Sequence, residues 1–456
     1  MNASVEVSFS MVTAALWHRS DTFCAGGLPD APPWAVVFSK SYDLVVIGAG
    51  IVGLATARAW QDARPDDRVL VLDKETTVAA HQSGHNSGVI HAGVYYPPGS
   101  RKAQLCASGR VELMAFCERH DIAWEQCGKV IVAVDDDEAA RLATLAQRAE
   151  ANGIEVNHLG PAALAEREPH ATGVAAIHIP ATAIVDFRAV CAALAGDIER
   201  AGGIVALGRP VIGVKRHGAE FIVSVGASPD GTPASEVVTG QVANCAGLAS
   251  DRVTRAAGEV PAAAILPFRG EYAELVPGRR HLVRHLIYPV PDPRFPFLGA
   301  HLTRAIDGSV HAGPNAVLAL SREGYRWRDV AVRDVASMAA NPATWRLARR
   351  HWRTGMGEVV RSLSRARMAA ALQRLVPEVR VEDLRPAGSG VRAQAIARDG
   401  QLLDDFVFGG DDGIVHVVNA PSPAATASLA IGRTIAARLL DGRGQAPERG
   451  PSGSLD

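Results

Sequence analysis

The chain has 456 residues, of which 48% are hydrophobic, so it can bury a large core and is long enough for two or more domains. Its 47 Lys and Arg residues nearly balance 48 Asp and Glu residues, and the net charge of -1 gives no global field for attracting nucleic acid. Six scattered cysteines without CxxC pairs do not match a disulfide-stapled secreted domain, and they indicate free thiols in a reducing compartment.

The two ends of the chain are expected to be disordered. Residues 1–41 lack the basic start, apolar stretch and small-residue cleavage site of a secretory signal, so we expect a disordered extension there. The Gly-, Pro- and Ser-rich residues 443–456 predict a disordered tail. No apolar run has the length of a bilayer span. We therefore expect a cytoplasmic protein, and peripheral attachment to the inner face of the cell membrane stays open.

The first ordered stretch, YDLVVIGAGIVGLATARAW, begins at Tyr42 and predicts a strand, a tight turn and a helix. Gly48, Gly50 and Gly53 form GxGxxG, whose glycines permit the turn, a close approach to a pyrophosphate, and helix-strand packing. The next strand, RVLVLDK, ends in Asp73, which is placed for ribose hydroxyls. Together these features predict a dinucleotide site, but NAD and FAD share the pattern.

A histidine- and glycine-rich stretch, HQSGHNSGVIHAGVYYPPGS, follows this second strand. His81 and His85 have a spacing that suits a metal on a helix, but the glycines disfavour a helix and no carboxylate or CxxC partner accompanies them. We therefore expect no metal. The stretch is instead positioned as a loop along the dinucleotide, where hydrogen bonds would come from Ser83, Asn86 and Ser87.

Two later segments favour FAD over NAD. QVANCAGLASDRV is an apolar strand that ends at Gly247 before a helix start. HVVNAPSPAATASLAIGRTIAARLL runs from a strand through a small-residue turn into a long helix, and its turn contains Asn419, Ser422 and Ala424. Small residues there let a helix N-terminus approach an electron-rich ring edge, as a flavin requires. Each segment alone could equally be a tight packing corner.

Arginines and tryptophans are mixed in SREGYRWRDVAVRD and NPATWRLARRHWRTGMGEVVRSL, which we predict to be helical. Trp327, Trp345 and Trp352 could lie at a membrane interface, where such mixtures are common. Alternatively, the arginines form a solvated face and the tryptophans are buried against the sheet.

From Tyr42 to about Leu440 the chain resembles the D-amino-acid-oxidase-like FAD-dependent oxidoreductases, and within them the enzymes that oxidise L-2-hydroxyglutarate. The strings that carry the resemblance include YDLVVIGAGIVGL, HQSGHNSGVIHAGVYYPPGSRKAQLC, PFRGEY, HLIYPVPDP, FLGAHLTRAIDGSVHAGPNAVLAL and NAPSPAATAS. The resemblance implies oxidation to 2-oxoglutarate by hydride transfer to FAD, with electrons passed to a quinone or oxygen. An amine or amino-acid oxidase of the same fold, such as a glycine or sarcosine oxidase, and a non-catalytic flavin-binding scaffold are the alternatives.

The expected fold is α/β: a Rossmann-like FAD-binding domain with an inserted α+β substrate domain built on an antiparallel sheet. Because the FAD-like segments are far apart in sequence, we expect the cofactor domain to be discontinuous, over residues 42–127, 185–260 and 385–442. The substrate domain then comprises 128–184, which contains the strand KVIVAV, and 261–384. The active site would lie between the two domains.

A 2-hydroxy acid oxidoreductase needs cations for carboxylates and a base for the hydroxyl proton. Arg392 stands in a Gly-x-Arg string like the one that binds substrate carboxylate in relatives, and Arg269 in PFRGEY is a second candidate. The distal carboxylate could also be bound by Lys102, Tyr96 or Tyr272. Histidine is the usual base near neutral pH. The candidates are His301, His91 and His416, and His301 or His91 is favoured because His416 in its apolar strand could equally be a core residue.

Overall fold

The computed structural model describes residues 41–292, 299–362 and 364–441. The predicted N-terminal extension, apart from residue 41, and the predicted C-terminal tail lie outside the described residues. The strands, in chain order, are β1 Tyr42–Ile47, β2 Val69–Leu72, β3 Val89–Ile90, β4 Trp124–Glu125, β5 Lys129–Ala133, β6 Asn157–Leu159, β7 Ala175–Ile179, β8 Ala183–Val185, β9 Ile204–Ala206, β10 Val211–His217, β11 Glu220–Val225, β12 Ser235–Asn244, β13 Ala264–Leu275, β14 Leu286–Pro289, β15 His301–Arg304, β16 Val310–Gly313, β17 Val317–Leu318, β18 Leu384–Ile396, β19 Val407–Gly409 and β20 Ile414–Asn419.

Ten α-helices occur in the described part of the chain. They are α1 Ile51–Ala63, α2 Arg101–Arg119, α3 Asp136–Ala151, α4 Pro161–Arg167, α5 Phe187–Arg200, α6 Ser250–Ala256, α7 Val332–Ala339, α8 Pro342–Ser362, α9 Arg365–Gln373 and α10 Ser428–Leu440. Helix α8 is interrupted at His351, whose backbone is not helical. Trp345 and Trp352 lie on α8 as predicted, whereas Trp327 lies in the irregular segment before α7, so its predicted helix is wrong.

The first large sheet has the strand order β10-β11-β12-β1-β2-β9, and β20 pairs with β12 and β19. Strands β12, β1, β2 and β9 are parallel, and β20 is parallel to β12. One face of β1 and β2 packs against α1, α5 and α10, while Val45 and Leu70 on the other face pack with Phe221 and Val253. Strands buried on both faces are typical of a parallel dinucleotide-binding sheet.

The second large sheet has the order β17-β13-β16-β15-β14-β5-β7-β6, with β18 beside β13. Its pairs are antiparallel except β5 with β14, which is parallel, so the sheet is mixed rather than wholly antiparallel as expected. The mixed α/β fold class itself is confirmed. A small third sheet joins β3, β8 and β4.

Strand β18 belongs to the second sheet. Its residues pair with β13 from Ala264↔Ile396 to Leu275↔Leu384. The sequence predicts residues 385–442 in the cofactor domain, whereas this antiparallel ladder ties residues 384–396 to the second sheet. The chain returns to the first sheet only at β19 and β20.

Candidate active site

A cavity of about 870 Å³ is lined by residues from both large sheets, a size that suits a cofactor or small-molecule site. Most of the predicted site residues line it together: Gly48, Gly50, Asp73, Ser83, Asn86, Ser87, His91, Tyr96, Lys102, Gly247, Tyr272, His301, Arg392, Ser422 and Ala424. Three other predicted site residues do not line the cavity: Gly53, Arg269 and Asn419.

The glycine turn after β1 forms one end of the cavity. Gly48 has φ +112°, and a Cβ there would stand 2.5 Å from the Cys245 carbonyl oxygen. A Cβ at Gly53 would collide with the Gly48 carbonyl oxygen, which explains why Gly53 is needed although it lies behind the lining. The backbone at the start of α1 is thereby left open toward the cavity, as binding of a pyrophosphate requires.

Asp73 lies at the end of β2 and lines the same end of the cavity. Its Oδ2 accepts the Ala49 N–H at 2.6 Å, and its Oδ1 accepts the Glu75 N–H at 2.9 Å. The carboxylate therefore ties the glycine turn to the next segment. Each oxygen keeps a lone pair beyond these bonds, so the position still fits a contact with ribose hydroxyls.

The loop over residues 81–87 is held against the start of α1. Ser83 Oγ accepts the Ile51 N–H at 2.9 Å, and Asn86 Nδ2 donates to the Gln82 and Ser83 carbonyls at 3.0 and 2.8 Å. Asn86 Oδ1 accepts the Gly88 N–H. These side chains thus fix the loop along the cavity, and Ser83 can still donate its hydroxyl proton to a bound group.

His81 and His85 lie on turns rather than on a helix, and each has its own partner. His81 Nδ1 lies 2.8 Å from the Tyr325 hydroxyl, whereas His85 Nδ1 lies 3.2 Å from the Ser389 carbonyl. Ligand atoms of His81, Glu75 and Glu323 lie close together, as a metal site would require.

The Lys74 ammonium nevertheless occupies this cluster. It pairs with Glu75 and lies 3.0 Å from Glu323. A side-chain cation therefore balances the two carboxylates, and the arrangement needs no metal ion for charge compensation.

The turn between β20 and α10 completes the cofactor side. Thr426 Oγ1, in the turn after β20, accepts the His91 N–H at 3.0 Å and donates to the Val89 carbonyl. Asn419 lies behind the cavity, where its amide donates to the Leu403 and Asp405 carbonyls at 2.9 Å each. Its role is to hold the turn that carries Ser422 and Ala424 to the cavity.

His301 begins β15 and is 6% exposed. Its Nδ1 lies 2.8 Å from the Gly299 carbonyl oxygen, so Nδ1 carries the proton and Nε2 keeps a lone pair. The Tyr288 ring packs on the imidazole with centroids 4.1 Å apart. Burial, aided by the charge of Lys129, lowers the pKa of His301 to about 4, so the imidazole is neutral at pH 7 and can accept a proton.

His91 follows β3 and lies in the same cavity, with Nε2 3.4 Å from Ser422 Oγ. Burial lowers its pKa to about 3, and the charges of Lys129, His301 and Arg392 act in the same direction. Both histidines are candidate bases from sequence, and both line this cavity. A third histidine in an apolar strand, His416, is buried outside the lining, with Nδ1 2.9 Å from Asn244 Nδ2.

The β13–β18 ladder separates the two candidate arginines. Phe268, Gly270 and Tyr272 line the cavity, and Arg392 stands opposite Phe268 in the ladder. Burial lowers the pKa of Arg392, and Tyr272, Asp404 and Tyr96 oppose that shift. Burial also raises the pKa of Tyr272 to about 12, so its hydroxyl stays protonated and can donate.

Arg269 points to the other face of β13, because successive side chains of a strand alternate. It is 2% exposed, and its guanidinium lies 4.5 Å from the Trp327 ring centroid. Nη1 donates to the Arg326 carbonyl at 2.9 Å, and Nη2 lies 3.3 Å from Glu271 Oε1. The predicted substrate contact of Arg269 stays a prediction, and the geometry gives it no support.

Lys102 and Tyr96 line a third part of the cavity. Lys102 Nζ lies 2.7 Å from Asp404 Oδ1 and 5.5 Å from the Tyr96 ring centroid. Asp405 accepts the backbone N–H groups of Arg101 and Lys102 at the start of α2. Two neighbouring carboxylates thus fix the helix start and balance the lysine charge.

Three further residues near the site were not predicted. Tyr288 and Asp404 line the cavity, and Lys129 lies behind it with its Nζ 4.6 Å from the Tyr95 ring centroid. A signal for Tyr288 was present, since it stands inside the quoted string HLIYPVPDP. Lys129 opens KVIVAV, whose apolar pattern indicated only a strand.

The sequence pattern of the FAD dependent oxidoreductases matches residues 43–438. The L-2-hydroxyglutarate dehydrogenase of Escherichia coli (strain K12) is 44% identical over 398 residues, which cover 87% of this chain and 93% of that protein. The mitochondrial L-2-hydroxyglutarate dehydrogenase of Homo sapiens is 43% identical over 413 residues, covering 87% and 88%.

Solved structures with a similar fold include L-alpha-glycerophosphate oxidase from Mycoplasma pneumoniae with FAD bound. It has a TM-score of 0.71 at 20% identity and covers 90% of this chain and 97% of that chain. Glycine oxidase from Geobacillus kaustophilus has a TM-score of 0.65 at 18% identity and covers 90% and 96%. At these identities the likeness concerns the fold alone.

We expect Gly48→Ala to weaken FAD binding at least about tenfold, because strain at a positive φ and the clash with the Cys245 carbonyl cost roughly 1–3 kcal/mol. The measurement is the flavin-to-protein ratio of the purified protein and the dissociation constant on reconstitution. Gly196→Ala on α5 is the control, since its Cβ would meet only Arg200 at 3.9 Å. Parental FAD affinity in Gly48→Ala would contradict the assignment of the glycine turn after β1 to the FAD site.

Proposed function

The chain belongs to the family of FAD dependent oxidoreductases, and on that premise we propose that it oxidises L-2-hydroxyglutarate to 2-oxoglutarate. The observation that carries the proposal is the buried His301 imidazole, neutral and with Nε2 available, in the same cavity as Arg392. Relatives at 44% and 43% identity whose names state this substrate support it.

His301 is the base in this proposal. When bound, FAD supplies the acceptor for the C2 hydrogen and its bonding electron pair. The hydroxyl proton of the substrate passes to His301 Nε2, while the Nδ1–H bond to the Gly299 carbonyl keeps the ring in one tautomer and orientation. His91 is the alternative base, but its Nε2 already lies 3.4 Å from the Ser422 hydroxyl, and we therefore assign the transfer to His301.

Cations and hydroxyls of the cavity bind the two carboxylates. Arg392 binds the carboxylate beside C2, where a guanidinium offers two parallel donors, and the Tyr272 hydroxyl acts next to it. Lys102 and Tyr96 bind the distal carboxylate. Lys102 already pairs with Asp404, so the distal carboxylate of the substrate competes with the Asp404 carboxylate for the lysine.

The electron acceptor in our proposal is a membrane quinone, reached by peripheral docking on an anionic bilayer. Helix α8 exposes Trp345 and Trp352 at 59% and 60%, with Met356 also exposed, rather than burying them against the sheet. Arg346, Arg349 and Arg350 are exposed on the same helix. Aromatic side chains flanked by arginines fit the headgroup region of a membrane. Oxygen as acceptor is the alternative.

Within the described ranges, no helix combines the length and apolar character that a bilayer crossing requires.

Anaerobic addition of L-2-hydroxyglutarate to the purified holoenzyme should bleach the flavin absorbance. D-2-hydroxyglutarate, glycine and sarcosine should leave the spectrum unchanged on the same timescale. Reduction by glycine or sarcosine would favour the amine oxidase alternative, and no reduction by any of these compounds would favour the non-catalytic scaffold.

We expect His301→Gln to slow flavin reduction about 10²- to 10⁴-fold, because a positioned general base contributes that much. The rate constant is measured by anaerobic stopped flow on protein with full FAD content. His158→Gln is the control, since that side chain is 64% exposed, and His91→Gln should be affected less than His301→Gln. A parental rate in His301→Gln would exclude His301 as the base.

Replacing both exposed tryptophans, Trp345→Ser with Trp352→Ser, should lower partitioning onto anionic vesicles at least about tenfold without changing anaerobic flavin reduction. Cosedimentation with vesicles at increasing salt measures the effect. Ile212→Ser is the matched control, because Ile212 is 63% exposed on β10 of the first sheet. If the parent protein stays in the supernatant at low salt, the docking proposal is wrong.

A further inference from the structure

Lys129, the first residue of β5, is buried beside the active-site cavity and is 1% exposed. Its Nζ lies 4.6 Å from the ring centroid of Tyr95 and 5.1 Å from that of Tyr288. A buried ammonium is costly unless its charge is stabilised by its surroundings. The faces of two aromatic rings provide part of that stabilisation here.

The charge balance around Lys129 is unusual for a core lysine. Burial lowers its pKa to about 7, and only the Cys106 thiol acts in the opposite direction. No carboxylate of the described residues is among the groups that act on it. Below pH 7 this position therefore holds a positive charge that is not cancelled by a neighbouring acid, unlike that of Lys102 beside Asp404.

The Tyr288 ring connects Lys129 to the proposed base. It contacts the Lys129 ammonium and also packs on the His301 imidazole, with centroids 4.1 Å apart and an interplanar angle of 31°. The Nδ1 atom of His301 donates its proton to the Gly299 carbonyl oxygen. Two contacts thus fix the orientation of the His301 imidazole: the hydrogen bond to Gly299 and the packing of the Tyr288 ring. The Tyr288 ring in turn contacts the Lys129 ammonium.

Charged and titratable groups face this cluster from each neighbouring element. They are His91 and Tyr95 from the segment after β3, Cys106 from α2, Tyr272 from β13, Tyr288 from β14, His301 from β15 and Arg392 from β18. Lys129 and Arg392 are the cations among them, and both disfavour protonation of His91, while Lys129 also disfavours that of His301.

We propose that Lys129 is a positioning residue whose buried ammonium contacts the Tyr288 ring, orients the His301 imidazole through that ring, and places a positive charge beside the proposed base. The proposal deepens the proposed function, on which it rests, since a base must be neutral to accept the hydroxyl proton. It assigns to Lys129 no contact with the reacting atoms.

The first test needs no substrate and uses the thermal unfolding midpoint of the holoenzyme as a function of pH. Because the pKa of His301 is about 4 in the folded protein and 6.5 ordinarily, the unfolded chain binds protons that the folded protein does not. Stability conferred by this group is therefore present above 6.5 and is lost as the pH falls towards 4. Removing the Lys129 charge raises the pKa of His301 and makes this loss smaller.

We expect Lys129→Met to reduce the acid loss of the midpoint by roughly a third, because a nearby charge accounts for part of each imidazole shift. Lys129→Arg should keep the parental slope, since it keeps the charge. In a His301→Gln background the effect of Lys129→Met should shrink, which isolates the coupling between the two residues. Lys215→Met, at an exposed position of β10, is the control and should behave as the parent.

The second test measures the pH dependence of anaerobic flavin reduction by L-2-hydroxyglutarate. In Lys129→Met the acid limb of the second-order rate constant for flavin reduction should move to higher pH by about half to one unit. In Lys129→Arg this limb should stay in place. An unmoved limb and an unmoved stability slope in Lys129→Met, or equal changes in Lys129→Arg, would overturn the proposal. If L-2-hydroxyglutarate does not reduce the parent protein, the proposed function fails, and the stability measurement alone decides on Lys129.

Discussion

The antiparallel ladder between β13 and β18 is the constraint on which the substrate side of the cavity depends. Its register sets Phe268 opposite Arg392, and its pleat sends Phe268, Gly270 and Tyr272 to the cavity. The same pleat turns Arg269 to the other face. A shift by one residue would exchange these faces, so strand pairing rather than local sequence decides which arginine lines the cavity.

Burial sets the protonation state of the histidines that line the cavity. Two imidazoles, His301 and His91, are kept neutral by desolvation and by the cations around them. Of the acidic residues that line the cavity, Asp73 accepts backbone N–H groups, Asp404 pairs with Lys102, and Glu323 lies 3.0 Å from Lys74 Nζ.

Features that depend on residues close together in sequence could be predicted, and features that depend on contacts between distant residues could not. The glycine turn, its helix and the mixed α/β fold follow from local patterns, whereas the Cys245 carbonyl that a Cβ at Gly48 would meet is distant in sequence. Arg269 and Arg392 could not be separated from sequence, since both stand beside glycines and only the register distinguishes them. Lys129 was missed because an apolar strand that begins with lysine looks like any strand leaving solvent, and its ring partners, Tyr95 and Tyr288, are distant in sequence.

The first sheet is closed by the last part of the described chain. β20 pairs with β12, α10 packs with α1 in one core, and the turn between β20 and α10 lines the cavity. During synthesis, β1 and the glycine turn leave the ribosome long before these partners exist. The cavity therefore cannot be completed on a nascent chain that stops short of the turn before α10. A C-terminal truncation that removes this turn would take away part of the cavity lining even though every glycine of the motif is intact.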